Sequence, residues 1–413
     1  MFNFKRIIIF FGIISLNSTI FPMVYDNRFF PLYEHIYSRT KEKPSVFIGD
    51  LFVMTANDAA KNNDDSIGIP EILGNYDLNK LANAIVDLGR PNPFIGTQFE
   101  QYLGREIPYR MKGKLQAQGL AFAYYQSLTE NVGIGATWFA MHVFSRINFM
   151  LAENTLGLTT EQVRELDALR RCMQNSIGLE APKWSKSGFS DIDLYLRFGN
   201  IWNYTYKFRR IDAGVRTGVM IPTGVRRDAN NPASVPFGGD GHWGIYLASD
   251  LEIEFKEDWI AGFLFRFNKR FGRKKIERLP LAGEQPLFGA LLGEAHIDPG
   301  ITFIFCPYLR FEDIRDGLGI QAKYTIVTHF DDLIKDARVG TPSPEPMLQP
   351  WINVTDWTSE YLTLKVFYDF ARVRVDKYYA PVFSLTWDIP IQFFLTERVS
   401  KTSRVALGIK FSF

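Results

Sequence analysis

Alternation is the feature of this sequence that most restricts its fold. From residue 187 onward, segments of ten or more residues carry apolar side chains at every second position and polar ones between them. This is the pattern of β-strands with one apolar and one polar face. In 242–255, Trp243, Ile245, Leu247, Leu251, Ile253 and Phe255 alternate with His242, Tyr246, Asp250, Glu252 and Glu254. After Lys256, Glu257 and Asp258, the residues Trp259, Ala261, Phe263, Phe265 and Phe267 alternate with Gly262, Leu264, Arg266, Asn268 and Arg270, so the pair predicts a β-hairpin. The same reading covers Ile192, Leu194, Leu196 and Phe198 against Asp191, Asp193, Tyr195 and Arg197, and Ile211, Ala213, Val215, Thr217 and Val219 against Asp212 and Arg216. Further strands are predicted around 301–310, 320–326, 362–370, 383–392 and 404–413. Earlier segments at 46–56, 108–126 and 131–148 alternate less cleanly, because Gly and Ala blur them.

Alternation alone fits a soluble sandwich or small barrel as well as a membrane barrel. Strand length separates them: these strands are long enough for the ~9–11 residues that a tilted strand needs to cross a bilayer, whereas soluble strands run nearer five or six residues. Aromatic residues bracket the short turns on the apolar face, as Phe255 and Trp259 do, where an interfacial girdle would place them. Charged residues of both signs stand at mid-strand on the other face, which suits a wet or salt-bridged lumen. The composition, 46% hydrophobic and 22% charged, is too polar for a bundle of membrane helices, and no run approaches the ~20 apolar residues that a helical span needs. With 47 basic and 45 acidic residues, bulk charge points to no nucleic-acid partner. The predicted fold is therefore all-β, a transmembrane antiparallel barrel of about twelve strands occupying residues 25–413 as a single domain.

The connections carry the same message, alternating long (57–107, 149–186, 223–240, 276–297, 332–356) and short (128–130, 200–204, 256–258, 313–316). Outer-membrane barrels have short periplasmic turns and long outer loops, so both termini are expected in the periplasm. The last outer loop, around 397–402, is expected to be short. Two long loops are predicted to hold helices. One starts at a capping box, Thr159-Thr160-Glu161-Gln162, runs through Val163, Leu166, Leu169 and Met173 and stops at Gly178; the other spans 78–88 with Leu81, Ile85 and Leu88 on one face. Such helices could be lids, inward plugs, partner-binding surfaces or plain caps on the barrel mouth.

Residues 1–24 have a basic start (Lys5, Arg6) and a short apolar run from Ile7 to Ile14, the layout of a secretory signal, with an uncleaved anchor as the other reading. At the other end, Val405, Leu407, Ile409, Phe411 and Phe413 resemble the terminal signal read by the barrel-assembly machinery, which that resemblance makes a partner. A second likeness runs over Gly188-Phe189-Ser190-Asp191-Ile192-Asp193-Leu194 and 213–224, ending Pro222-Thr223-Gly224. It is similar to the GxGDxxL…GxxxPTG hairpin of outer-membrane transporters associated with aromatic-compound degradation, with Ser190 in place of the second glycine. That resemblance implies transport across the outer membrane.

No phosphate-binding loop, nucleophile elbow, HExxH helix or calcium loop is visible, and no enzyme activity or cofactor is expected. Outer-membrane phospholipases place a Ser two residues after a His; here those positions hold Tyr37, Phe144, Gly244, Asp298 and Asp331. His296 and Asp298 are read as plain loop residues rather than a metal site, and Cys172 and Cys306 as either free or singly bridged. The candidate functional surface is the charged face: Arg197, Arg216, Arg266, Arg270, Arg310 and Lys323 with Asp191, Asp193, Asp212, Asp250, Glu252 and Glu254. Rings of charge select permeants in pores, while charges paired across strands would instead fill a narrow lumen. The expected function is a passive outer-membrane channel for small solutes with a mixed-charge lumen. The alternative is a non-conducting surface barrel whose loops bind a host or partner.

Overall fold

The computed structural model describes residues 44–62, 65–152, 157–204, 207–340, 343–373 and 381–413; the expected signal segment lies outside them. Twelve antiparallel strands close into a barrel: β1 Ser45–Ala56, β2 Pro108–Ser127, β3 Val132–Leu151, β4 Ile192–Asn203, β5 Arg210–Ile221, β6 Gly244–Lys256, β7 Trp259–Arg270, β8 Ile301–Arg315, β9 Leu318–His329, β10 Trp357–Asp369, β11 Val382–Ile391 and β12 Ser403–Ser412. Each pairs with its sequence neighbour, and β12 returns to β1 in unbroken register from Val46↔Ser412 to Thr55↔Ser403. Ser45 and Phe413 exchange both backbone hydrogen bonds at 2.9 and 3.0 Å, which seals the seam. Closure matters because lipid offers no partner to an open edge.

Side chains segregate as the alternation requires. Leu194, Leu196, Leu247, Phe267, Leu364, Leu385, Val405 and Leu407 project outward and stay exposed, while Asp193, Arg197, Asp250, Arg266 and Arg404 turn inward and are buried. The short turns share one end of the barrel with Ser45 and Phe413. The β6–β7 turn is two residues, 257–258, and Asp258 takes the positive φ (62°) that such a turn asks for.

Several expectations are corrected. The turn expected at 200–204 lies at 204–209, because β4 continues to Asn203. Residues 276–297 are no plain loop: Arg273–Leu279 and Leu291–Asp298 form a hairpin, joined by Leu333–Asp336 into a three-stranded sheet above the barrel. His296 and Asp298 therefore sit on a strand rather than in a loop. Asp191 is not within a strand. β3 pairs with β4 over 132–137 and with Lys183–Phe189 over 140–146, and Ser190 and Asp191 form the break between these partners. Both cysteines are free, Cys172 exposed and Cys306 buried, which removes the single bridge.

The outer loops fold on themselves into a cap. Helix α1, Leu78–Asp87, begins at Asp77, whose carboxylate accepts from the amides of Asn79 (2.7 Å) and Lys80 (3.2 Å). Helix α2, Thr160–Ser176, opens on the reciprocal Thr159–Gln162 capping box, and Gly178 follows its end at φ 80°. Leu78, Leu81, Ile85, Leu166 and Met173 pack with Ile69, Phe94, Phe237, Leu287 and Phe288 in one buried core, continuous with Phe52, Leu115 and Val143 of the barrel wall. Each such side chain contributes about 1.5–3 kcal/mol on burial, which works against the roughly 1–2 kcal/mol per residue that backbone ordering costs in long loops. Arg278, 1% exposed, ties three loops by donating to the carbonyls of Ile177 (2.8 Å), Gly178 (3.1 Å) and Ala229 (3.2 Å) and to Asn230 Oδ1 (2.7 Å).

Candidate functional site

The lumen has two unlike walls. On β4–β8 the inward positions carry a network of paired charges set among Tyr195, Tyr246, Ala248, Leu264, Ile304 and Cys306. Asp250 is the hub: Arg197 Nη2 donates to it at 2.7 Å and Arg216 Nε at 2.9 Å, while Arg197 Nη2 also reaches Asp212 at 2.9 Å. The carboxylates of Asp212 and Asp250 are fully removed from solvent, so this compensation is what makes their charge tolerable. Two glycines make room for the cluster. A Cβ on Gly199 or Gly214 would stand 2.7 Å from the Arg197 guanidinium.

Further along, Arg266 Nη2 donates to Asp193 at 2.8 Å with its guanidinium 3.6 Å over the Tyr246 ring. Glu252 forms an ion pair with Arg310 at 2.9 Å and accepts from the Tyr308 hydroxyl at 2.6 Å. Glu254 stands near the short-turn rim, 3.3 Å from Arg210 and 3.7 Å from Arg209. Lys323 is buried on β9, in register with Tyr308 and Thr363. The remaining predicted pair, Arg270 and Asp191, lies at the outer mouth instead. There Asp191 accepts from Arg270 Nη1 (2.8 Å) and from the amides of Gly239 (2.6 Å) and Gly224 (3.2 Å), while Ser190 Oγ accepts the Phe139 amide (2.9 Å). The hairpin singled out in the sequence thus knots the returning loop to the break in the wall, and the Ser190 hydroxyl takes up the amide opposite.

On β1–β3 the inward positions are mostly apolar, with Asp50 and Ser145 among them, and the upper ones belong to the buried core shared with the cap. Val46, Ile48, Phe52 and Met54 face Met111, Leu115, Ala117 and Ala123, then Phe139, Met141 and Val143; no inward position of β2 or β3 is charged. Sequence reading missed this wall. It also missed Asp50, which stands 3.8 Å from Arg404, itself 3.6 Å from Asp388, because the alternation of β1 is blurred.

Above the lumen the cap leaves a cavity of about 180 Å³, lined by His242, Arg270, Lys275, His329, Trp351 and Trp357 among others. The His329 ring stacks on Trp357 (5.6 Å, 23°); its Nδ1 meets Thr302 Oγ1 at 2.8 Å and its Nε2 meets Asp332 at 2.9 Å. Burial pulls the His242 pKa down to about 4, so the ring is neutral at pH 7, with Nδ1 2.9 Å from the Phe271 carbonyl. Burial works against the Lys275 ammonium, yet Glu277 and Asp240 beside it raise its pKa. A larger hollow of about 860 Å³ is lined chiefly by the outward Leu194, Leu196, Val219, Ile245, Leu247 and Phe267, and so faces lipid. Among the described residues no three His, Cys, Asp or Glu side chains are grouped as metal ligands.

No protein-family model matches the sequence, and no curated protein matches it. Among solved structures, an outer-membrane channel from Pseudomonas putida F1 is similar over 92% of this chain and 100% of its own, at TM-score 0.51 and 10% identity. The likeness is one of fold. Together with the closed barrel and its apolar outer band, it makes the chain an outer-membrane β-barrel. The Pseudomonas putida toluene transporter TodX (11% identity, 89% of both chains, TM-score 0.31) and a Pseudomonas aeruginosa FadL homologue (10%, 89% of both, 0.32) are more distant.

Proposed function

We propose that this barrel is a passive channel for small solutes with substantial apolar surface. The observation that carries the reading is the two-walled lumen beneath the aromatic-lined cavity of the cap. A solute sliding along β1–β3 would meet apolar contacts, while the opposite wall, neutralised by its own ion pairs, offers polar groups without a net field to select ions. The fold likeness to a protein described as an outer-membrane channel accords with this. Liposome swelling in iso-osmotic phenylalanine and glutamine tests it, since neither zwitterion crosses lipid readily. Phenylalanine is expected to permeate faster by about tenfold, the worth of ~1.4 kcal/mol of apolar contact. Equal rates would refute the apolar path.

A second reading has its own support: inward side chains such as Phe52, Arg197, Asp250 and Arg266 are almost wholly buried, as in a filled, non-conducting barrel with loops that bind a partner. Swelling in neither solute would favour it.

The same proposal extends to assembly. Val405, Leu407 and Phe413 lie exposed on the seam strand, where the barrel-assembly machinery would read them. Deleting Phe413 is expected to lower the heat-modifiable, folded fraction in membranes several-fold. An unchanged fraction would exclude this role.

A further inference from the structure

The cavity in the cap, about 180 Å³, is far larger than the roughly 10–15 Å³ that holds one water, and it has room for a small ring compound. Part of its wall is apolar, from Met220, Ile297, Ile334 and Trp351. The rest is charged, but the charges already have partners. Lys275 is shared by Asp240 and Glu277, Arg270 is held by Asp191 at 2.8 Å, and Arg227 stands 3.7 Å from Glu277. Each cation that lines the cavity therefore stands against a carboxylate, and an anionic solute finds no spare counter-charge there.

Two polar groups of the lining are left over. His242 is 3% exposed, and its Nδ1 lies 2.9 Å from the Phe271 carbonyl. A carbonyl only accepts, so Nδ1 carries the proton and Nε2 presents a lone pair. That nitrogen has no hydrogen-bond partner among the described residues. Asn268 is buried beside the same space; its Oδ1 accepts from Arg266 Nε, and its amide group has no partner among the described residues. A buried acceptor left unmatched is costly. The group that answers both leftovers is a hydroxyl, which donates and accepts at one atom. An ammonium would stand beside Lys275 and Arg273, which both weigh against positive charge at the His242 ring. A carboxylate has no proton to give it.

We propose that the cap cavity binds neutral alcohols with a compact apolar body, the hydroxyl donating to His242 Nε2 and accepting from Asn268 while the hydrocarbon lies against Ile297, Ile334 and Trp351. Water alone satisfies His242 but leaves those apolar walls wet, so an alcohol that keeps the hydrogen bond and covers the walls displaces it favourably. The inference rests on the passive-channel reading in so far as it names the solute that the cap holds above the lumen; the binding itself is measured without flux.

The test uses the full-length protein in detergent, labelled with nitrogen-15 histidine and followed by NMR. The lone-pair nitrogen of His242 is assigned by loss of its signal in His242→Gln or, should that variant not fold, by its survival in single variants of the other histidines. The probes are cyclohexanol, cyclohexanone, which has the same size and accepts but cannot donate, and cyclohexylammonium. Cyclohexanol is expected to shift the signal saturably, with a midpoint about tenfold below that of the ketone. Equal midpoints for alcohol and ketone overturn the proposal, as does cyclohexylammonium binding as tightly as the alcohol. No saturable shift with cyclohexanol also overturns it and leaves water as the occupant. The channel reading fails separately: saturable binding without liposome swelling keeps the site and sinks the channel, and swelling without binding does the reverse.

Discussion

At the scale of single residues, the lumen depends on Asp250, because two arginines share one carboxylate that solvent does not reach. Asp250→Asn keeps the shape and removes the charge, leaving Arg197 and Arg216 short of compensation. Breaking such a buried pair costs about 3–5 kcal/mol, so the denaturant midpoint of the lipid-folded barrel is expected to drop; an unchanged midpoint would mean the cluster is already hydrated. His242 makes a different expectation, about pH. Its folded pKa is about 4 against an ordinary 6.5, so the unfolded cap takes up the proton first. Stability should be full above pH 6.5, fall as pH drops toward about 4, and level off below. The total is roughly 3 kcal/mol. Limited proteolysis of the outer loops should accelerate across that window, and His242→Gln should flatten the response. Loops equally resistant at pH 4 and pH 7 would contradict it.

At the scale of elements, legibility in the sequence followed the contrast between the two faces of each strand. β4 to β12 were readable because lipid lies on one side and charge on the other, as in Leu194 against Arg197 or Leu251 against Asp250. β1 to β3 were blurred for a physical reason: in the upper halves of β2 and β3 the pattern inverts, with Met111, Leu115, Met141 and Val143 inward against Lys112, Lys114 and His142 outward, while lower down Gly and Ala fill both faces. The same blur hid the apolar wall and Asp50. Helix α2 was readable from local chemistry alone, since Thr159 and Gln162 satisfy each other's backbone whatever surrounds them. The hairpin of Arg273–Leu279 and Leu291–Asp298 was not. Its strands are short, and its pairing with Leu333–Asp336 is fixed only by the fold of the cap. Ser190 and Asp191 were placed in a strand because the alternation runs through them, whereas the wall breaks there to let Asp191 hold Gly224 and Gly239.

For the molecule as a whole, a closed barrel with a compensated lumen stands under a cap with its own core, and Arg278 is the joint between cap loops. Arg278→Ala removes four hydrogen bonds that hold the loops of residues 177–178 and 229–230 together, while leaving the membrane wall untouched. The most direct measurement is single-channel recording of both proteins in planar bilayers. The expected result is small discrete steps for the wild type, and for Arg278→Ala a larger open fraction as the cap loosens. Silent bilayers for both proteins at every voltage, with heat-modifiable migration confirming that each is folded, would contradict a conducting lumen.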